Sequence, residues 1–149
     1  MTLEEEIKQS KFPNEIEKAL INVLFTANHL YSHNLKRFKP HGISPEQYNV
    51  LRILRGSHPK KLRLADIASR MLDRNSNATR LVEKLRLKDL VTRDNCPVDR
   101  RQVDIGVTEK GLEVLSRIDV ESKEWFDSQK NITLEEAQIL NTLLDKMRD

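Results

Sequence analysis

The 149-residue chain carries 26 Lys and Arg against 23 Asp and Glu, a net charge of +3, with 38% hydrophobic and 5% aromatic residues. That size supports one compact core without dividing comfortably into two, and the composition fits a helical globular protein better than a strand-rich or disordered one. No apolar run approaches the roughly 20 residues that span a bilayer, the acidic start at Glu4, Glu5 and Glu6 is unlike a signal peptide, and the lone Cys96 excludes an internal disulfide, so a cytoplasmic protein without membrane contact is expected.

Ile16, Leu20, Val23, Leu24, Ala27, Leu30, Tyr31 and Leu35 recur at three- and four-residue spacing, which predicts a long first helix over about 13–38 with Pro13 in its first turn. Lys39-Pro40-His41-Gly42 breaks it. Ser44-Pro45-Glu46-Gln47 then predicts a second helix, with Ser44 as cap, Pro45 in first position and Gln47 closing a capping box. Its apolar face is Tyr48, Leu51, Ile53 and Leu54, and residues 56–59 end it. A third, short helix is predicted around 64–72, with Leu64, Ile67, Ala68 and Met71 inward. After the polar break Asp73-Arg74-Asn75, either Asn75 or Ser76 can cap a fourth helix running to about Lys88, whose buried face is Ala78, Leu81, Val82 and Leu85. Two short helices about a tight turn make a helix-turn-helix candidate.

Beyond Leu90 the period changes to two: Val91 and Arg93, then Val103, Ile105 and Val107, alternate around a polar loop, which predicts a β-hairpin. Thr108-Glu109-Lys110-Gly111 opens a fifth helix bearing Leu112, Leu115, Ile118, Trp125 and Phe126. Thr133-Leu134-Glu135-Glu136 is a capping box for a sixth, with Leu140, Leu143, Leu144 and Met147. Charge is unevenly spread over these elements. Residues 60–101 hold twelve basic against six acidic side chains, a local excess of +6 in a chain whose total is +3. Such clustering is the footprint of phosphate contact, although a solvated basic face is the commoner origin of a basic stretch.

The elements run helix, helix, tight turn, helix, basic hairpin, two helices. Within them stand Ala78-Thr79-Arg80-Leu81-Val82-Glu83-Lys84-Leu85, Lys88-Asp89-Leu90-Val91-Thr92-Arg93, Asp99-Arg100-Arg101 and Thr108-Glu109-Lys110-Gly111. In this order and spacing the chain resembles the MarR family of winged-helix transcriptional regulators over nearly its whole length. The resemblance implies a mainly α fold with a small β-hairpin wing. A winged helix-turn-helix lobe would occupy about 44–108, with dimerisation helices from both termini, about 1–40 and 109–149. It also implies a homodimeric regulator, a repressor by expectation, bound to a pseudo-palindromic operator in double-stranded DNA. No cofactor is implied.

In a helix-turn-helix the second helix enters the major groove by its N-terminal half. Ser76, Asn77, Thr79 and Arg80 are therefore candidate base and phosphate contacts, and Lys84 a phosphate contact; capping is an equally good role for Ser76 and Asn77. At the wing, the resemblance implies that Asp99 braces the loop by pairing with an Arg while Arg101, with Arg100 beside it, enters the minor groove. A hairpin-stabilising ion cluster is the alternative role for all three. Lys60, Lys61, Arg63 and Arg74 read as phosphate contacts or solvated charges. Two residues depart from the family pattern. Asp89 stands where Gly usually follows the recognition helix, at a position needing positive φ, and Arg63 replaces the small hydroxyl residue that usually caps the third helix.

The family binds small aromatic effectors in a crevice between the dimer helices and the DNA-binding lobe, and by that resemblance His29, Tyr31, His33 and Tyr48 are effector candidates. His29 and His33 share a helical face, but no Cys or carboxylate stands at ligand spacing, so no metal site is assigned. Nothing reads as a catalytic set, and no enzyme is expected. Two alternatives stand beside the DNA-binding reading: a winged-helix protein-interaction module and a metal-responsive regulator.

Overall fold

The computed structural model describes residues 1–99, 102–128 and 131–149, and along them seven α-helices combine with a small antiparallel sheet where six helices and a hairpin were expected. The additional helix, α1 (Leu3–Ile7), is held by a Thr2–Glu5 capping box. Five residues are too few to show a helical period. The predicted first long helix is α2 (Glu15–Phe38). Its cap is Asn14, whose side chain accepts from the Glu17 N–H at 2.9 Å, so Pro13 lies outside the helix and not in its first turn.

A 3₁₀ turn over Lys39–His41 leads to α3 (Pro45–Arg55), which begins on the Ser44–Gln47 capping box with Pro45 in first position, as read. Val50, Leu51 and Leu54 of α3 join Phe38 and Ile43 in the core, while Tyr48 and Ile53 are half-buried. Each fully buried side chain of this size is worth about 1.5–3 kcal/mol. Next comes β1 (Leu62–Arg63), two residues long and without readable alternation. It leads straight into α4 (Leu64–Arg70), so no side chain caps that helix at Arg63. Ile67 and Met71 are buried as expected; Ala68 is exposed, contrary to expectation, because so short a helix buries only a narrow stripe.

The second helix of the pair is α5 (Ala78–Leu87), with Ala78, Val82 and Leu85 buried and Leu81 half-buried. Neither Asn75 nor Ser76 caps it. Asn77 does, its Oδ1 accepting from the Arg80 N–H at 3.0 Å. At the other end Leu90 N–H donates to Leu85 O and Asp89 N–H to Arg86 O, a Schellman motif closed by Asp89 at φ 58. An L residue with a side chain pays for that left-handed conformation. Asp89→Gly should therefore raise stability by about 1 kcal/mol, read as a higher urea midpoint at unchanged m.

The wing strands are β2 (Val91–Asn95) and β3 (Val103–Val107), antiparallel with Val91 opposite Val107 and Asn95 opposite Val103. β1 pairs on the far side of β3, giving the order β1-β3-β2. The last two helices are α6 (Glu109–Ser128) and α7 (Leu134–Lys146), the latter opened by the expected Thr133–Glu136 capping box. The chain divides into two units, Met1–Leu112 and Glu113–Asp149. The first holds the N-terminal helices together with the sheet and the helix-turn-helix. In the second, the Trp125 and Phe126 rings meet edge to face with centroids 4.9 Å apart.

Candidate nucleic-acid interface

Ala78, Val82 and Leu85 are the buried stripe of α5, and helical geometry then turns Thr79, Arg80 and Lys84 outward. Among the described residues, neither the Arg80 guanidinium nor the Lys84 ammonium has an ion-pair or hydrogen-bond partner. Arg86, two residues beyond Lys84, differs: its fork holds Glu83 through Nε (3.0 Å) and Nη2 (2.7 Å). Arg93 of β2 reaches the same carboxylate at 3.7 Å. The hydrogen bonds from Arg86, with the charge of Arg93 behind them, hold the Glu83 carboxyl below the usual range. Glu83 therefore occupies Arg86 and ties the helix to the wing, and leaves Arg80 and Lys84 as the uncommitted cations on the outward face of α5. The Glu83–Arg86 pair is local, three residues apart on one helix, whereas the link to Arg93 is made by tertiary packing.

Side-chain bonds fix the turn before α5. Asn49 Oδ1 of α3 accepts from the Leu72 N–H at 2.9 Å, Asp73 Oδ1 from the Asn75 N–H at 2.9 Å, and Arg74 Nη1 donates to Ser69 O at 2.6 Å. Arg74 is thus a brace within the motif. Asn77 spends its side-chain oxygen on the cap and keeps its amide NH₂. Ser76 is half-buried, with Oγ enclosed and without a hydrogen-bond partner among the described residues, so its hydroxyl does not face solvent.

At the wing, Cys96 N–H donates to Gln102 O and Gln102 N–H to Asp99 O, both at 2.9 Å. The Asp99 carboxylate accepts from Gln102 Nε2 at 3.0 Å. Val98 is exposed at the tip. Arg100 and Arg101 lie outside the described residues. Between wing and helix runs a cleft of about 380 Å³, lined by Arg63, Thr79, Val82, Arg93, Gln102 and Ile105 among others. A second, more open cleft of about 500 Å³ lies by Lys36, Lys39, Ser44, Gln47 and Lys88. There Lys88 donates to Gly42 O and to Gln47 Oε1 (3.2 Å), joining the end of α5 to the start of α3.

The effector candidates line neither cleft. Tyr31 Oη donates to Glu46 Oε1 at 2.8 Å, which raises the pKa of its hydroxyl. Tyr48 packs on Phe38 with ring centroids 4.3 Å apart, His29 is exposed and His33 half-buried. Tyr31 and Tyr48 are thus held by different partners. Among the described residues no group of three or more His, Cys, Asp or Glu could hold a metal ion, and no helix is long and apolar enough to cross a membrane.

Comparison with known proteins agrees with this geometry. A profile of the MarR family matches residues 43–103, the stretch from just before α3 to the first residue of β3. The HTH-type transcriptional regulator MhqR of Bacillus subtilis (strain 168) is 31% identical over 106 residues, covering 70% of each chain. The uncharacterized HTH-type transcriptional regulator YkoM of the same organism is 35% identical over 86 residues, 58% of this chain but only 54% of YkoM, so that match spans about half of the relative's length. The MarR transcription factor from Planctomyces limnophilus superposes with a TM-score of 0.69 at 27% identity, over 93% of this chain and 98% of that one.

Proposed function

Because the chain belongs to the MarR family and has its winged-helix fold, we propose that it is a sequence-specific DNA-binding transcriptional regulator, a repressor, acting as a homodimer on a pseudo-palindromic operator. The observation that carries the reading is the uncommitted, outward cationic face of α5 at Thr79, Arg80 and Lys84, opposite its buried stripe. A guanidinium with no partner among the described residues gives up only water when it forks onto a guanine edge or a phosphate. Asn77 through its free amide, the wing arginines Arg100 and Arg101, and Asp99 as brace of the loop complete the proposed contact set; Ser76 would have to turn its hydroxyl outward to join it.

The dimer is supported by apolar surface left open on a single copy. Ile16, Leu20 and Leu24 form a stripe on α2, exposed at 76%, 49% and 66%, and Ile139, Leu140 and Leu143 form another on α7, continued by Met147 at its C-cap. Stripes of that kind are what a two-fold helical interface covers. Leu24→Asp should shift the protein toward monomer in sedimentation velocity and abolish operator binding at concentrations where the parent is saturated. We also propose a small aromatic effector, with His29, Tyr31, His33 and Tyr48 as its candidates; it would act only by binding the DNA-competent and released states unequally.

Sequencing duplexes selected by the purified protein from random DNA tests the whole reading. The expected product is an inverted repeat with half-site centres about one turn, roughly 34 Å, apart. Recovery of no common sequence, or of a single unrepeated half-site, would overturn it.

A further inference from the structure

β2 is held from both faces of the sheet. Arg93 and Asp94 are neighbours on the strand, so their side chains leave opposite faces. Arg93 goes to Glu83 on α5, whereas Asp94 Oδ2 accepts from Lys61 Nζ at 2.6 Å. Lys61 directly precedes β1, and β3 lies between β1 and β2, so the lysine has to cross a strand to reach its partner. It crosses at Gly106. A Cβ built there would stand 3.2 Å from Lys61 Cγ, 3.4 Å from Lys61 Cε and 3.1 Å from Thr92 Oγ1, so the missing side chain is the channel in which the lysine stem lies. On that face Asp94 is directly opposite Asp104, two carboxylates on adjacent strands that repel each other unless a cation offsets them.

We propose that Lys61 is a positioning residue for DNA reading: strapped over Gly106 onto Asp94, it sets the angle at which β2 runs out beyond Asn95 and so where the wing meets the duplex. This rests on the proposed function above, and it replaces the reading of Lys61 as a phosphate contact or a solvated charge. The two roles predict opposite signs for one substitution. If Lys61 acts on phosphate, Asp94→Asn releases it and removes a negative charge, and binding tightens. If Lys61 acts through the wing, Asp94→Asn loosens the wing and binding weakens.

The test uses the full chain, with a spin label on Cys96, the single cysteine, to report wing order without DNA. Operator affinity is measured in parallel on duplexes with A·T-rich and G·C-rich flanks. Asp94→Asn and Lys61→Met should each increase label mobility and weaken binding to the A·T-flanked operator about three- to fivefold, in line with an exposed ion pair. The G·C-flanked affinity should change less. The charge swap Lys61→Asp with Asp94→Lys should restore label mobility, and Gly106→Ala, which displaces the lysine stem without altering charge, should reproduce the loosening. Tighter binding by Asp94→Asn, or unchanged label mobility in both single variants, would overturn the proposal. A parent protein that ignored DNA sequence would instead overturn the proposed function, with the label still deciding whether Lys61 orders the wing.

Discussion

Arg80→Ala should weaken operator binding by roughly ten- to a hundredfold while costing only about two- to fivefold on random duplex of the same length. The size follows from what the residue gives up. A bidentate arginine contact is worth about 1–3 kcal/mol of base discrimination, and among the described residues the Arg80 side chain has no bond whose loss would complicate its removal. Fold stability should hardly move, because Arg80 is exposed and its backbone N–H, which receives the Asn77 cap, survives the change. Fluorescence anisotropy on the two duplexes measures both numbers, and thermal unfolding supplies the control. Arg86→Ala is the informative comparison. Its guanidinium is committed to Glu83, so it should cost specificity little and loosen the wing side of α5 instead.

Gly111→Ala should cost about 3 kcal/mol of stability, a fall in Tm of roughly 6–12 °C. The first turn of α6 is seated on the turn that ends α5. Thr108 N–H donates to Leu90 O at 3.1 Å, Thr108 Oγ1 donates to Asp89 O at 2.7 Å and accepts from the Gly111 N–H at 3.0 Å, and Lys110 Nζ donates to Lys88 O at 3.0 Å. A methyl on Gly111 would fall well inside contact distance of the Leu90 carbonyl oxygen and 2.8 Å from Val107 Cγ2. Both obstacles are fixed, one being backbone and the other half-buried on β3. Alanine's better helix propensity returns only about 1 kcal/mol, so the clash wins. Calorimetry checks the value, and a loss below about 1 kcal/mol would mean that the α5–α6 seam yields more easily than the three hydrogen bonds across it suggest.

The fold was legible where a local chemical device carried the signal. Ser44 with Gln47 and Thr133 with Glu136 are reciprocal caps, and each marks its helix start to the residue. The positive φ expected at Asp89 is present because the Schellman turn needs it whatever residue stands there. Legibility failed where competing residues were chemically alike or an element was too short to show a period. Asn75, Ser76 and Asn77 can all cap a helix, and the choice of Asn77 is made by the turn that Asn49 and Asp73 fix from elsewhere in the chain. β1 spans two residues and exists only because β3 offers it an edge. Of the site, the outward position of Arg80 followed from the helical period alone. The commitments of Arg93 and Lys61 did not, since each depends on a carboxylate that tertiary packing brings near.

The most direct measurement is a salt series of binding constants for the selected operator and for a shuffled duplex of identical composition. An α5 and wing that read DNA predict a linear fall of log K with log salt on both duplexes, from phosphate contacts, and an operator preference on the order of a thousandfold or more at physiological salt. Equal affinity for the two sequences, or binding indifferent to salt, would contradict it.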